Sequence, residues 1–406
     1  MNHNIIKSSP QMVLDNKTRI LTQVSLAIGS FAIGTSEFVS MGLLPEIAKS
    51  TNVDIPTAGH YISSYAIGVV VGAPVLAVLT AKVPRKVILI ALMIFYAVVN
   101  ILSGLAHSYT SLMTMRFLSG LPHGIFFGVA SVAVSAMVPL KDRPKAIGNV
   151  VLGLTIAIVV GAPAATWLGQ ATSWSMAFIC VGLIGAVCAF FVWLFMPFTP
   201  TAIGVSPLTE LGALKKIQVW LMLGVVAIGC CGMFTVFSYI KPILTDISGY
   251  DVKWVPYIMP LVGVGMVVGN ILGPKISYYL GLMKTIFFTM LATVFFYMIF
   301  YYCMPGKVSV AFGCFIIGLS FASMPAIQTR IMDSARDAQT LAGSLVQSAF
   351  NVANAFGAWA GGAAIATGLG YSSTAVLAMI FTFAGLMIFS VSWYLEKKYP
   401  TAGAEE

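Results

Sequence analysis

The chain reads as an all-α membrane protein, with twelve transmembrane helices in two pseudo-symmetric six-helix bundles. Three observations predict this. Of 406 residues, 59% are hydrophobic and only 9% charged, a balance that no water-soluble globular domain tolerates over its surface. The apolar residues fall in runs long enough to cross a bilayer core of about 30 Å, which takes roughly 20 residues of helix. Features also recur at an offset of roughly 195 residues, as in duplicated transporters.

The expected spans, in order, are 20–43, 57–80, 86–106, 109–137, 146–168, 175–197, 218–240, 254–278, 284–304, 308–330, 341–366 and 372–394. Barrel strands would alternate over about ten residues, and no such alternation is present. Residues 1–19 are polar and mildly basic and the first apolar run is long enough to span, so it is expected as the first helix rather than a cleavable signal. The repeat shows in KVPRK, 82–86, after the second run and GPKISYYLGLMK, 273–284, after the eighth. It shows again in Trp174 opening the sixth run and Tyr371 opening the twelfth. The expected division is therefore a tail over 1–19, a bundle over 20–197, a linker over 198–217, a second bundle over 218–394 and a tail over 395–406.

Orientation follows from Lys and Arg placement. With a cytoplasmic N-terminus, the inner segments hold seventeen of them and the outer only Lys49, Lys241, Lys253 and Lys307. Both termini are thus expected in the cytoplasm. Topology accounts for the formal charge of +9, so no nucleic-acid partner is expected. The six cysteines lie in expected spans without metal spacing, and neither a metal nor a cofactor is expected. Nothing pairs a nucleophile with a base, so no enzyme is expected, and no phosphate-binding loop marks an ATP-driven pump.

Several motifs carry a family resemblance. They are GTSEF, 34–38, and MGLLP, 41–45; RFLSG, 116–120, running into LPHGIFFG, 121–128; and Gly153 with GAP, 161–163. With them the chain resembles the major facilitator superfamily, in particular its bacterial drug and sugar efflux branch of arabinose-efflux and chloramphenicol-resistance permeases. The family's inner-loop signature, Gly-x-Leu-Ala-Asp-Arg-x-Gly-Arg-Lys, is matched only in its basic end, Lys82, Arg85 and Lys86. Ala77 and Ala81 stand where it has its first Gly and its Asp, and Pro84 where it has its second Gly. That Asp's usual charge contact to neighbouring helices is therefore not available from position 81. The resemblance implies secondary active export of a small molecule by alternating access, with Gly153, Gly161 and Pro163 similar to the antiporter signature. It further implies exchange for protons, a working monomer in the bacterial inner membrane, and gating by Lys82, Arg85 and Lys86. A proton-independent facilitator and a non-transporting receptor on the same scaffold remain as alternatives.

The residues themselves point to a coupling site. Glu37 alone of the thirteen acids lies well within a span, where an ionised, unpaired acid costs roughly 2.5 to 3.5 kcal/mol on insertion scales. It needs a proton or a partner. Arg116, about seven residues from the outer end of the fourth span, matches the depth of Glu37, about six residues from the outer end of the first. His123 lies two turns beyond Arg116 on the same face. Glu37 is expected to carry the proton, with Arg116 as its cation and His123 as relay or substrate contact; a static Glu37–Arg116 pair is the alternative. For substrate, the expected contacts are Tyr65, Phe127, Phe234, Tyr239, Asn270 and the amide stripe Gln347, Asn351 and Asn354, each with helix packing as its alternative. Membrane lipids are the remaining partner.

Overall fold

The computed structural model describes residues 15–198 and 207–398. The linker stretch 199–206 and the outer parts of both tails lie outside the described residues. Twelve long helices cover the expected spans: α1 Asn16–Gly42, α2 His60–Thr80, α3 Arg85–Gly104, α4 Tyr109–Ser135, α5 Leu140–Ala171, α6 Trp174–Phe195, α7 Ile217–Phe237, α8 Val255–Leu280, α9 Leu282–Cys303, α10 Lys307–Ser334, α11 Gln339–Ala364 and α12 Ser373–Lys398. Among the described residues there is no strand.

Eleven of the twelve are apolar enough to be recognised as spans by composition. The exception is α11. Its inward stripe is made of Ser344, Gln347, Ser348 and Asn351, all buried, so its polarity is spent inside the protein. Elsewhere the outward faces carry large apolar side chains in the open, among them Leu79, Trp167, Tyr302 and Val308, as a lipid-facing belt requires. This is a membrane protein.

Local chemistry sets the helix ends and bends. Asp15 caps α1 by accepting from the Thr18 N–H at 3.2 Å, and Ser108 with Ser111 forms a capping box at the start of α4. In α5 a π-turn occupies Ala157–Gly161, just before Pro163. Proline has no N–H for the carbonyl four residues back and clashes with it. The wider turn absorbs that mismatch.

The packing repeats itself. The pairs α1–α5, α1–α6, α2–α4 and α3–α6 recur with six added as α7–α11, α7–α12, α8–α10 and α9–α12. Between the two sets the seam is made by α2 and α4 on α11, and by α8 and α10 on α5, so α5 and α11 occupy equivalent places. Hydrogen bonds and an ion pair cross this seam from mid-span toward the α2–α3, α4–α5, α8–α9 and α10–α11 connections, the basic face. Arg143 pairs with Asp333 at 3.1 Å. Asn270 donates to the Gly148 carbonyl at 2.7 Å, Ser348 to the Val69 carbonyl at 3.4 Å, and Gln328 to the Ser131 hydroxyl at 3.5 Å. Gly128 brings α4 so near α11 that a Cβ there would meet the Ser344 hydroxyl and the Thr340 carbonyl.

Gly153 makes the tightest approach of α5 to α1, because a Cβ there would run into the Ala27 carbonyl, which is backbone and cannot turn aside. Gly153→Val is therefore expected to lose about 1–3 kcal/mol to overpacking, seen as a lower melting temperature in detergent. Gly212→Ala, where nothing lies within 4 Å of the added carbon, is expected to leave it unchanged.

Candidate functional site

The α1–α4 interface carries a cation with almost no water. Arg116 is 1% exposed. Its guanidinium lies over the Tyr65 ring, 4.4 Å from the centroid, and 5.5 Å from that of Phe178, so the negative faces of two aromatic rings replace part of its hydration. One nitrogen donates to the Ser36 hydroxyl at 3.0 Å. Ser36 in turn donates to the Asn100 side-chain carbonyl at 2.8 Å, and Asn100 donates to the Tyr96 carbonyl at 2.9 Å. The Nε and second terminal nitrogen of Arg116 have no hydrogen-bond partner.

Glu37 sits one residue beyond Ser36, 6% exposed and within electrostatic range of Arg116. The two groups do not pair directly. Among the described residues no ion pair within 4.0 Å joins them, and Arg116 is bonded to Ser36 instead. Consecutive residues of a helix point about 100° apart, so a guanidinium held on the Ser36 side is held off the Glu37 side. The matching depth of the two residues was legible in the sequence; this choice of partner was not.

Tyr65 continues the cluster. Its hydroxyl and the His123 Nδ1 lie 3.0 Å apart, while the His123 ring packs on Phe127 at 5.4 Å between centroids. Gln347 of α11 comes within interaction range of the imidazole, and Nε2 of His123 has no hydrogen-bond partner. Glu37, Arg116, Tyr65, His123, Phe127 and Gln347 thus form one buried group that starts at α1 and ends across the seam.

The other expected contacts have packing roles in this conformation. Asn351 donates back to the Gln347 carbonyl of its own helix at 3.0 Å, and Asn270 bridges the seam to Gly148. Tyr239 donates to the Ala358 carbonyl at 2.9 Å. Phe234 stacks edge-on to Phe350 at 4.9 Å. Asn354 is half-buried. Gln347 and Phe350 line a seam cavity of about 10 Å³ with Val151, Leu154, Met324 and Gln328, room for about one water. Gly153 and Gly161 seat α5 on α1, the latter against Thr35 and Phe31, with Pro163 exposed beyond the π-turn. In the basic loop Lys82 is exposed and Lys86 half-buried, while Arg85 faces Glu210 of the linker.

Sequence reasoning missed Ser36, Tyr96, Asn100 and Phe178. Asn100 gave the same signal as the α11 amides, a polar side chain inside an apolar run, and is 0% exposed. Phe178 is one of 26 phenylalanines and gave none.

Twelve helices in two like-packed sets, with a polar cluster buried against the seam, define a secondary-transporter architecture. Residues 26–343 match the Major Facilitator Superfamily model. The chain is 38% identical over 376 residues to the inner membrane transport protein YdhP of Escherichia coli, covering 91% of this chain and 95% of that one. It is 31% identical over 367 residues to a chloramphenicol resistance protein of Streptomyces lividans, covering 86% and 89%. In structure it resembles the proton:xylose symporter XylE at a TM-score of 0.73 and 11% identity, covering 96% and 97%, a likeness of fold. The chain belongs to the Major Facilitator Superfamily, a family of small-molecule transporters rather than enzymes.

Ser36→Ala removes the one acceptor that Arg116 uses and strands the Asn100 carbonyl. A cost of about 1–3 kcal/mol is expected for the orphaned buried donor, read as a lower melting temperature of the purified protein. In an Arg116→Leu background the same change is expected to cost clearly less, because no buried cation is then stranded.

Proposed function

We propose that the protein exports a small molecule from the bacterial cytoplasm in exchange for protons, with Glu37 as the proton carrier. The arrangement of Glu37 and Arg116 carries this reading. A static pair would use the carboxylate to satisfy the two idle donors of Arg116. Instead acid and cation lie close together, both buried, and unbonded. That suits an acid that alternates between holding a proton, when it needs no partner, and giving it up, when the cation takes its charge.

In the cycle, Glu37 takes a proton while the cavity opens outward and releases it as the cavity opens inward. Arg116 stabilises the ionised acid. Tyr65 and His123 extend the cluster toward Gln347, so a substrate seated at the seam meets Phe127, His123, Gln347 and Asn351. Helix movement must enlarge a centre that holds only about 10 Å³ here. Phe234, Tyr239, Asn270 and Asn354 become substrate contacts if that movement frees their present partners. Apolar walls with a few amides suit an amphenicol-like or sugar-like molecule, and the relative's name, a chloramphenicol resistance protein, supports the first. Lys82, Arg85 and Lys86 gate the inner face and meet anionic head groups. The basic loops support an inner-membrane orientation with both termini cytoplasmic, and the protein works as a monomer in contact with membrane lipids.

Everted vesicles with an imposed pH gradient test the proposal against a panel of amphenicols, cationic dyes, pentoses and nucleosides. The native protein is expected to collapse the gradient with at least one compound, and Glu37→Gln, at equal expression, to abolish that response. A response that survives Glu37→Gln would show Glu37 to be structural. Substrate uptake that never moves protons would identify a facilitator.

A further inference from the structure

Asp54, Asp246, Asp251 and Asp337 of the connections lie in the open, but Glu210 does not. It ends the short linker helix Pro207–Glu210 and is 6% exposed. That helix packs against both α2 and α11. The Glu210 carboxylate accepts from the Leu341 N–H at 2.9 Å, in the first turn of α11, with Thr340 beside it, and it faces Arg85 at the start of α3. Burial pushes its carboxyl up, and the Leu341 N–H, Thr340 and Arg85 pull it back down.

Two positive ends face this carboxylate, the first through a hydrogen bond and the second by charge alone, since among the described residues no ion pair within 4.0 Å joins Glu210 to Arg85. The N-terminus of α11 carries the positive pole of the helix dipole and exposes N–H groups that no residue of the helix itself serves, because its cap residue, Ala338, has no side-chain acceptor. Arg85 supplies the second from the first set of helices. The loop that leads to Arg85 has Ala81 and no acid, so the counter-charge comes from the linker.

We propose that Glu210 is an acidic latch at the basic face: it bonds the linker to the first turn of α11 in the second set, where the linker helix also packs on α2 of the first, and it faces Arg85 by charge. The two sets part at this face only when that hold is released. The latch adds to the Arg143–Asp333 pair, at 3.1 Å, and acts beside the close contact of Gly128 with Ser344 and Thr340. It holds whichever ion drives transport.

Hydrogen–deuterium exchange on the full-length protein in lipid nanodiscs tests this in the native chain, Glu210→Ala and Glu210→Gln. In Glu210→Ala the latch predicts several-fold faster exchange in the first turn of α11. It predicts the same in the ends of α4 and α10 near Ser131 and Gln328, away from the Leu341 N–H that Glu210 serves. Glu210→Gln keeps an acceptor for the Leu341 N–H and loses the charge toward Arg85. It is expected to leave the first turn of α11 near native while exchange near Ser131 and Gln328 still rises several-fold. A rise confined to the first turn of α11 in Glu210→Ala would make Glu210 a local cap and overturn the proposal. Native exchange near Ser131 and Gln328 in Glu210→Gln would overturn it equally, and decides the matter if Glu210→Ala fails to fold.

Discussion

The burial of Arg116 is the constraint around which the first six helices are organised. A guanidinium inside an apolar span costs roughly 2.5 to 3.5 kcal/mol on insertion scales unless the protein replaces its water. Here α2 and α6 each give a ring face, α1 gives Ser36, and α3 holds Ser36 in place through Asn100. Tyr65, Phe178 and Ser36 each touch the same cation, and Asn100 reaches it through Ser36. Tyr65 shows the consequence, because the ring that covers Arg116 also brings its hydroxyl to His123. Solvating one charge therefore aligns a polar path from Glu37 to Gln347 of the opposite set.

The seam divides that path from the two faces of the bundle. Its polar contacts lie toward the basic face, where Arg143, Glu210, Gln328 and Asn270 tie helices together. Gly128 and Gly148 allow close packing there, Gly128 against Ser344 and the Thr340 carbonyl of α11 and Gly148 against Pro274 of α8. Interfaces of this kind are bistable, since close-packed surfaces separate or dock but do not stretch. On the proposed role of Glu37, a small change there biases a large one at the seam.

Much of this was legible in the sequence, and the reason is the solvent. In lipid every polar side chain within an apolar run is conspicuous, so Glu37, Arg116, His123 and the amides of α11 stood out. Their partners did not. Asn351 turns to its own helix and Asn270 to Gly148, choices that depend on how helices cross. Arg116 bonds to Ser36, a residue whose small hydroxyl looks unremarkable in any span. Glu210 gives no such signal, because burial of a linker residue depends on two distant helices, α2 and α11, closing over it. The π-turn of α5 before Pro163 likewise depends on how the helix accommodates the missing N–H.

The claim that Glu37 takes up and gives up a proton can be measured without knowing the substrate. Infrared difference spectroscopy of the purified protein in lipid, titrated from mildly acidic to mildly alkaline pH, reports the carbonyl stretch of a protonated carboxylic acid. The account predicts a band that fades with rising pH in the native protein and is missing from Glu37→Gln, and an altered midpoint for that band in Arg116→Leu. Identical titrations for the native protein and Glu37→Gln would contradict it.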